Sequence, residues 1–310
     1  MNTLLLKYAL EVAKTGSITH AAEGLYMAQP NLSKAIKELE EVLGYDVFER
    51  SSKGMFPTKQ GKEFLVYAKS VLNQLDKIME IGDEGAKNVQ TFDVSIPRGS
   101  YIAQGFTKFA ITLDQERGIN LSLQETNSVQ TISSVAEGNF HLGIIRYQVV
   151  HENYFRDYLK NKNLASEDIW EFKLRVIMSK NHPLAKEESI QYKQLTNYTE
   201  IVHGDNSVPY LMKDANESED KNIKKKISVY ERYNQFDLLE SMQSSYMWAS
   251  PIPDNILERH GLVQRGCEEV NHIYKDVLIY EKGYRMNELD KRFIEIISQE
   301  QQKVAQKEFR

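Results

Sequence analysis

The sequence contains one cysteine, Cys267, so no disulfide bond can form within the chain. A buried thiol is the common role for a lone cysteine, and redox sensing is the alternative. The seven histidines are scattered, without the paired spacing that metal sites require. No apolar run has the length needed to span a membrane, and Lys7 and Glu11 interrupt the apolar stretch near the start, unlike an export signal. We therefore expect a cytoplasmic protein with no membrane contact, no metal and no other cofactor.

The sequence also lacks the short motifs of the common enzyme classes, namely G-x-S-x-G, the P-loop and G-x-G-x-x-G. A non-enzymatic function is therefore expected. The net charge of −5 argues against a protein that coats nucleic acid without specificity, but one docking face can still be positive. With 310 residues, of which 41% are hydrophobic and 27% charged, the chain can form two or three globular domains.

Residues 17–37 (SITHAAEGLYMAQPNLSKAIK) predict two short helices separated by a tight break. Ser17 is a good N-cap for the first helix, which covers residues 18–25. The second helix begins at Gln29-Pro30, since proline in the first turn loses no hydrogen bond. Its apolar side chains recur every three or four residues along one stripe. The stripe consists of Leu32, Ile36, Leu39 and Leu43.

The opposite face of the second helix carries hydrogen-bonding and cationic side chains, as a helix that docks in the major groove of DNA requires. After it, residues 51–58 (SSKGMFPT) predict a short hairpin, or wing, with Gly54 at its tip, where cations would meet the DNA backbone or minor groove. An ordinary helical hairpin with a solvated polar face is the alternative. The predicted DNA contacts are Ser17, Thr19, Gln29, Pro30, Asn31, Ser33, Lys34, Lys37, Arg50 and Lys53.

Residues 16–61 contain an ordered set of short motifs. They are Gly16-Ser17, Ala21-Ala22, Leu25, Gln29-Pro30, Ser33, Leu39-Glu40, Leu43-Gly44, Phe48-Glu49-Arg50, Thr58 and Gly61. Through these residues the chain resembles the winged helix-turn-helix of LysR-type transcriptional regulators. It departs from the family at Ala28, where a serine or threonine N-cap is usual, and the lost cap costs about 1 kcal/mol. The resemblance implies an N-terminal winged helix-turn-helix (all-α with a wing), a long linker helix, and a two-lobed α/β effector domain like periplasmic binding proteins.

The predicted DNA-binding head is balanced in charge. Glu38, Glu40 and Glu41 lie close in sequence to Lys34 and Lys37. Because the acids offset the cations, we expect one head to bind DNA weakly and two heads to be needed.

Residues 59–82 predict one long helix, for which Thr58 is the N-cap. Its apolar side chains have the a/d spacing of a coiled-coil seam, although a helix packed on its own domain is the alternative. The resemblance implies that this helix pairs two heads in a homodimer or homotetramer. The expected domains are residues 1–58 (DNA-binding), 59–85 (linker and dimerisation helix), 86–91 (hinge) and 92–310 (effector-binding). The seam consists of Leu65, Ala68, Leu72, Leu75 and Met79, flanked by Phe64, Val71 and Ile78.

From residue 92 onward, predicted strands alternate with helices, a pattern typical of a parallel sheet built from βαβ units. Strands are expected at residues 92–96, 119–123, 142–145, 172–178, 200–202, 227–229, 246–249 and 276–279. Helices are expected at residues 101–113, 129–137, 151–162, 236–243, from 253, and at 287–302. By the resemblance, lobe I comprises residues 92–168 and 268–310, and lobe II comprises residues 169–267.

Several polar side chains follow the predicted strands, and ligands of open α/β sheets bind outside the carboxyl ends of strands. Serine hydroxyls and free N–H groups at a helix N-terminus suit an anion, and Arg146 suits a carboxylate. Each also has a plainer interpretation: a helix cap for the serines, an internal ion pair for Arg146, and solvent exposure for His203. The predicted effector contacts are Ser100, Tyr101, Asn127, Ser128, Arg146 and His203.

The resemblance implies a DNA-binding transcriptional regulator that recognises an interrupted dyad near a promoter and responds to a small anionic metabolite between its lobes. The expected partners are double-stranded DNA, that effector and further copies of the chain, with RNA polymerase as a further candidate. One alternative is a two-lobed small-molecule sensor or adaptor without sequence-specific DNA binding. Another is an architectural protein whose second helix contacts another protein. Salt dependence separates these functions, because phosphate contacts make log affinity fall linearly with log salt.

Overall fold

The computed structural model describes residues 2–51, 54–82, 89–98, 101–204, 225–230, 235–267, 269–270 and 272–306. The chain forms two compact units, one made of Met1–Val89 with Glu137–Asn139 and the other of Gln90–Ala136 and Phe140–Arg310. Residues 86–88 of the predicted hinge lie outside the described residues, and residues 89–91 are the start of a strand. No helix among the described residues has the length and apolar character needed to cross a membrane.

The first unit is helical with one hairpin. Its helices are α1 Thr3–Thr15, α2 Ile18–Gly24, α3 Gln29–Leu43 and α4 Lys59–Gly82, and its strands are β1 Phe48–Ser51 and β2 Gly54–Pro57. The predicted caps are present: the Ser17 hydroxyl accepts a hydrogen bond from the N–H of His20, and the Thr58 hydroxyl accepts one from the N–H of Gly61. The winged helix-turn-helix predicted from the sequence is confirmed.

Helix α4 has the predicted bounds, but the first half of its predicted seam lies inside the first unit. Leu65, Ala68 and Leu72 are buried in the same apolar core as the side chains of α1 and α3. The alternative of a helix packed on its own domain is therefore correct for this half. The reason is that α4 begins directly after the wing and packs along α1. The apolar side chains that face outward from α4 are Tyr67 (65% exposed), Val71 (45%) and Ile78 (60%).

The second unit alternates strands with helices, as predicted. Its strands are β3 Val89–Pro97, β4 Gly118–Thr126, β5 Leu142–Gln148, β6 Leu164–Lys173, β7 Arg175–Ser179, β8 Thr199–His203, β9 Lys226–Val229, β10 Ser245–Ala249, β11 Leu262–Arg265 and β12 Ile273–Glu281. Its helices are α5 Tyr101–Ile111, α6 Ser128–Ala136, α7 Glu152–Asn161, α8 Tyr192–Leu195, α9 Gln235–Ser241, α10 Asp254–Arg259 and α11 Glu288–Ala305. Among the described residues these strands form two five-stranded sheets, β4-β3-β5-β12-β6 in lobe I and β11-β7-β10-β8-β9 in lobe II.

Both sheets are mixed, which corrects the prediction of a parallel sheet. In lobe I, β3 and β5 run parallel, but β12 lies antiparallel to both β5 and β6. In lobe II, β10 is parallel to β8 and antiparallel to β7. The predicted strand at residues 172–178 is confirmed for residues 175–178, which lie in β7, but its first two residues are the end of β6, which belongs to the other sheet. The sheet of lobe I therefore extends past the expected boundary at residue 168.

Strand β6 escaped prediction because its charged side chains hide the alternation typical of strands. It lies at the edge of its sheet, where charged residues are common. Asp168 and Glu171 pair with the buried ammonium group of Lys275, at 3.1 and 2.9 Å. The Glu167 carboxylate accepts a hydrogen bond from the Tyr280 hydroxyl. These partners lie on β12, far along the chain, so no local pattern could show that the acids of β6 are paired.

Helices cover both faces of the lobe I sheet. On one face α5 packs on α11, where Ile102 and Phe109 share a core with Phe293 and Ile297. On the other face α6 and α7 cover β5 and β12. The chain passes from β3 to the edge strand β4 and returns to β5 on the other side of β3. The strand order therefore reverses between β3 and β5, and ligands of open α/β sheets bind in the crevice at such a point, outside the carboxyl ends of the strands.

Candidate functional sites

Helix α3 buries its predicted stripe and exposes its predicted polar face. Leu32 and Leu39 are completely buried, and Ile36 is nearly so. Gly44 ends the helix with a φ of 77°, a left-handed conformation that glycine adopts readily. Of the predicted contacts on α3, Ser33 is half-buried, and the exposed ones are Gln29, Pro30, Asn31, Lys34 and Lys37.

The N-terminus of α3 has no side-chain cap. Ala28 occupies the N-cap position with an extended backbone, and no side chain there accepts a hydrogen bond from the first turn. Helix N-termini carry a partial positive charge that favours phosphate groups. In this chain, however, the N–H groups of Asn31 and Leu32 donate to the carbonyl of Ala28, at 3.0 and 3.3 Å, so the departure at Ala28 removes a side-chain cap without leaving these two groups unbonded.

The turn between α2 and α3 presents an aromatic side chain that sequence reasoning missed. Tyr26 is 98% exposed and has a φ of 52°, in the left-handed region where residues other than glycine are uncommon. The turn is fixed by two backbone hydrogen bonds, from the N–H of Tyr26 to the carbonyl of Glu23 and from the N–H of Met27 to the carbonyl of Ala22. The available signal was a tyrosine placed in the break itself, where a polar residue would serve the turn equally well.

Glu40 fixes the start of the wing to α3. Its Oε1 atom accepts hydrogen bonds from the N–H groups of Val47 (2.9 Å) and Phe48 (3.1 Å), where β1 begins. The sequence interpretation treated Glu40 only as a negative charge beside Lys34 and Lys37. The structure instead gives this carboxylate a structural role, because hydrogen bonds to charged acceptors are stronger than neutral ones.

Close backbone packing holds the wing on its other sides. The N–H of Met55 donates to the carbonyl of Gly16 at 2.8 Å, and a Cβ added at Gly54 (φ 124°) would lie 2.6 Å from that oxygen. A Cβ added at Gly61 would lie 1.9 Å from the carbonyl oxygen of Val47. Only glycine therefore lets α4 begin against the wing in this position.

The predicted DNA contacts outside α3 differ in their surroundings. Ser17 is half-buried because it caps α2, whereas Thr19 is exposed on that helix. Arg50 is exposed on β1, opposite Met55 in the hairpin. Lys53 lies outside the described residues.

In the second unit, the guanidinium group of Arg146 near the carboxyl end of β5 is paired within the chain. Its Nε and Nη2 atoms donate to the two carboxylate oxygens of Asp276, at 2.7 and 2.8 Å. The Tyr101 hydroxyl donates to the Oδ2 atom of the same carboxylate at 3.0 Å. Asp276 and Tyr101 are completely buried, and the Arg146 side chain is 13% exposed. The carboxylate that the sequence prediction expected from an effector is thus supplied by the chain itself.

Burial and charge shift the pKa values in this group. Burial alone would lower the pKa of Arg146, but the neighbouring Asp276 carboxylate outweighs burial, and the pKa is raised. Burial, followed by the charge of Asp276, raises the pKa of Tyr101 well above its ordinary value. Arg146 is therefore charged and Tyr101 neutral throughout the physiological pH range.

Two further predicted contacts, Ser128 and Asn127, join the end of β5 to α6. The Ser128 hydroxyl accepts a hydrogen bond from the N–H of Arg146 at 2.9 Å and donates one to the Arg146 carbonyl at 2.6 Å. The Oδ1 atom of Asn127 accepts from the N–H of Gln130 at 2.9 Å. The capping role that the sequence suggested for Ser128 therefore belongs to Asn127, and the Ser128 hydroxyl is used between a strand and a helix.

Aromatic side chains of β6 and β12 continue this group. The Cζ atom of Arg146 lies 4.9 Å from the centre of the Phe172 ring, within the range of a cation–π interaction. The Trp170 ring lies 5.0 Å from that of Phe172. The side-chain amide of Gln148 donates to the Tyr274 hydroxyl at 2.9 Å. The guanidinium group is thus held by an ion pair and by a ring.

The last two predicted effector contacts are not part of this group. Ser100 lies outside the described residues. His203 ends β8 in lobe II, where its Nδ1 atom lies 3.0 Å from the Nε2 atom of Gln235. The structure therefore brings together Tyr101, Ser128 and Arg146, whereas the side chain of Asn127 caps α6.

Cys267 is buried, and burial raises the pKa of its thiol. A protonated, buried thiol is a weak nucleophile and suits a packing role. Within the described ranges, no cluster of three or more His, Cys, Asp or Glu side chains has the arrangement of a metal site.

Two family models match the chain. Residues 4–62 match the bacterial regulatory helix-turn-helix protein of the lysR family, and residues 113–302 match the LysR substrate binding domain. The HTH-type transcriptional activator CmpR of Synechocystis sp. is 30% identical over 190 residues, which cover 60% of this chain and 58% of CmpR. The RuBisCO operon transcriptional regulator of Allochromatium vinosum is 27% identical over 198 residues, which cover 63% of this chain and 62% of the relative. The chain thus spans about three fifths of the length of these curated relatives.

Solved structures share the fold over nearly the full length. CbnR, a LysR family transcriptional regulator, has a TM-score of 0.60 at 15% identity, covering 97% of this chain and 99% of that chain. A full-length OxyR variant from Pseudomonas aeruginosa has a TM-score of 0.58 at 17% identity, covering 97% of this chain and 94% of that chain. At these identities the similarity concerns the fold alone.

Proposed function

The chain belongs to the LysR family of bacterial regulators, and we propose that it is a transcriptional regulator that binds double-stranded DNA through its first unit. The observation that carries this proposal is the phase of α3, which buries its apolar stripe and exposes Gln29, Lys34 and Lys37. Amide and cationic side chains on one exposed face suit the base edges and phosphates of a major groove. CbnR, which has the same fold, has been solved in complex with its target DNA.

In the proposed complex, α3 lies in the major groove and the wing reaches the adjacent backbone or minor groove. Gln29 and Asn31 are suited to base edges, since amide side chains both donate and accept hydrogen bonds. Lys34 and Arg50 are suited to phosphates. Tyr26 adds an exposed hydroxyl at the turn, which can donate a hydrogen bond to a phosphate oxygen.

Fluorescence anisotropy on the native upstream DNA and on a scrambled duplex, across a salt series, tests this proposal. A regulator prefers the native fragment and shows a steep salt slope. Lys34→Ala should weaken binding to all sequences and reduce the slope by about one unit if Lys34 contacts a phosphate. Lys160→Ala, an exposed lysine of the second unit, is the control and should leave both unchanged. Equal, weak binding to both duplexes would favour the sensor or adaptor function instead.

Self-association through α4 forms the second part of the proposal. Tyr67, Val71 and Ile78 follow a spacing of four and seven residues and expose apolar surface along one line of the helix. Two heads joined there would engage two halves of a dyad. Val71→Glu should shift the mass measured by light scattering towards the monomer, whereas Lys62→Glu, at an exposed position on the other side of the same helix, should not. An unchanged mass for Val71→Glu would exclude this stripe as the interface.

The second unit is proposed to bind a small-molecule effector rather than to transform one, since the curated relatives are transcriptional regulators. The crevice at the carboxyl ends of β3 and β5 is the proposed site. The side-chain amide of Gln104 on α5 donates to the Oδ1 atom of Asn255 on α10 at 3.1 Å, so the two lobes are in direct contact. A ligand that alters the spacing of the lobes would change this contact. A shift of the DNA-binding curve on addition of a ligand would show that ligand binding is coupled to DNA binding.

A further inference from the structure

We propose that the buried carboxylate of Asp276 occupies the guanidinium group of Arg146 and thereby makes the crevice select against carboxylate effectors. This inference rests on the proposed effector role of the crevice. An arginine at a strand end would otherwise be the natural partner for a ligand carboxylate, because its planar fork binds both oxygens at once. Asp276 fills that fork in advance. The residue is therefore a specificity determinant that acts through Arg146.

The position of Asp276 is set by the sheet. It lies on β12 directly opposite Arg146 of β5, in the antiparallel register of the two strands. On the other side β12 pairs with β6, and a register shift follows Asp276 at Val277. Asp276 is completely buried. A carboxylate built into the middle strand of three cannot move away from Arg146 without disturbing both of its neighbours.

The carboxylate of Asp276 already uses the hydrogen-bond donors that a ligand carboxylate would need. Its Oδ1 atom accepts from Arg146 Nε, and its Oδ2 atom accepts from both Arg146 Nη2 and the Tyr101 hydroxyl. An effector carboxylate would have to displace this group and leave Asp276 buried without its counter-charge, which is strongly unfavourable. Displacement is thus opposed by the buried charge, in addition to the loss of the pair itself.

Further contacts hold both the guanidinium group and the backbone of Arg146. Its Cζ atom lies 4.9 Å from the Phe172 ring centre, and the Ser128 hydroxyl holds both backbone groups of Arg146. The polar groups next to Arg146 on the same two strands are the amide of Gln148 and the hydroxyl of Tyr274, which are uncharged. Beside Arg146 on β5 and β12, hydrogen bonding to a ligand is thus left to these two neutral groups.

Anion rescue of the full-length chain tests the proposal. Asp276→Ala opens the fork of Arg146, so acetate and formate should raise the melting temperature of this variant above the value in chloride of equal ionic strength. Wild type should show no such specific effect. The double variant Asp276→Ala, Arg146→Gln should lose it, since the cation is gone. Isothermal titration with acetate should give at least tenfold tighter binding to Asp276→Ala than to wild type.

Asp290→Ala is the matched control. Asp290 is also a buried carboxylate, but it is held by the Tyr284 hydroxyl and the N–H of Asn287, without an arginine contact among the described residues. Its alanine variant should be destabilised and should not respond specifically to acetate. Should Asp276→Ala fail to fold, Asp276→Ser, whose shorter side chain also leaves the fork of Arg146 open, is used for the same titration.

Two results would overturn the proposal. Wild type would bind acetate or benzoate as tightly as the Asp276 variants, or the anion effect would persist in the double variant that lacks Arg146. DNA binding by the same preparations separates this inference from the proposed function. Sequence-specific DNA binding without anion rescue would refute only the role of Asp276, whereas rescue without DNA binding would refute only the regulator function.

Discussion

Replacing Glu40 by alanine distinguishes a structural role of this carboxylate from a purely electrostatic one. The Oε1 atom of Glu40 accepts two backbone hydrogen bonds, at 2.9 Å from Val47 and 3.1 Å from Phe48. A hydrogen bond to a charged group contributes about 1.5–3 kcal/mol, and partial exposure of this site reduces the sum to about 2 kcal/mol for Glu40→Ala. The variant should also bind DNA several-fold more weakly, because the wing loses its attachment to α3.

The electrostatic interpretation predicts the opposite sign for DNA binding. Removing an acid near Lys34 and Lys37 should tighten binding to an anionic polymer. Glu41→Ala removes the neighbouring, exposed charge without a wing contact among the described residues, so it should leave stability unchanged and tighten binding slightly. Amide hydrogen exchange at Val47 and Phe48 provides the direct assay, since only Glu40→Ala should accelerate it. Tighter DNA binding with unchanged exchange in Glu40→Ala would refute the structural role.

Three further substitutions follow from the structure. Ala28→Ser should add the missing N-cap of α3 and raise the free energy of unfolding of the first unit by about 1 kcal/mol in urea denaturation; no change would mean that the serine side chain does not reach the first turn. Gly61→Ala should destabilise the same unit by about 3 kcal/mol, because its Cβ would meet the Val47 carbonyl at 1.9 Å, whereas Gly24→Ala, whose Cβ finds its nearest neighbour at 3.5 Å, should be tolerated. Burial raises the pKa of Glu300, but its hydrogen bonds to Lys108 and Lys303 outweigh this and lower it; its contribution to stability is therefore present near neutral pH and lost as pH falls through the lowered pKa. Glu300→Gln should flatten the acid limb of the stability curve, and an unchanged acid limb would contradict that assignment.

Local sequence patterns were sufficient for the first unit because its elements are specified by neighbours in the chain. The stripe of α3, the Ser17 and Thr58 caps and the hairpin around Gly54 each depend on residues within a few positions of one another. The same logic predicted the alternation of strands and helices in the second unit. Tyr26 was missed because its exposure depends on how α2 and α3 cross, which no periodicity describes.

Non-local pairing explains what the sequence could not predict. The acids of β6 lie on an edge strand, and two of them pair with Lys275 of β12. The apolar seam of α4 has the spacing of a coiled coil, yet Leu65 and Leu72 are buried in the core of their own unit. In both cases the residues that decide the packing lie elsewhere in the chain.

Arg146 shows the same dependence for function. In the parallel sheet predicted from the sequence, an arginine at the end of β5 would face an open crevice and would suit an effector carboxylate. The observed sheet instead inserts β12 antiparallel between β5 and β6, which places Asp276 beside Arg146 and closes the pair. The chemistry of the crevice is therefore determined by a strand that follows β5 only after the whole of lobe II. In chains with this fold, the residue of β12 opposite the arginine at the end of β5 should decide whether that arginine can bind a ligand anion. In this chain that residue is Asp276, so Arg146 is not available to a ligand anion.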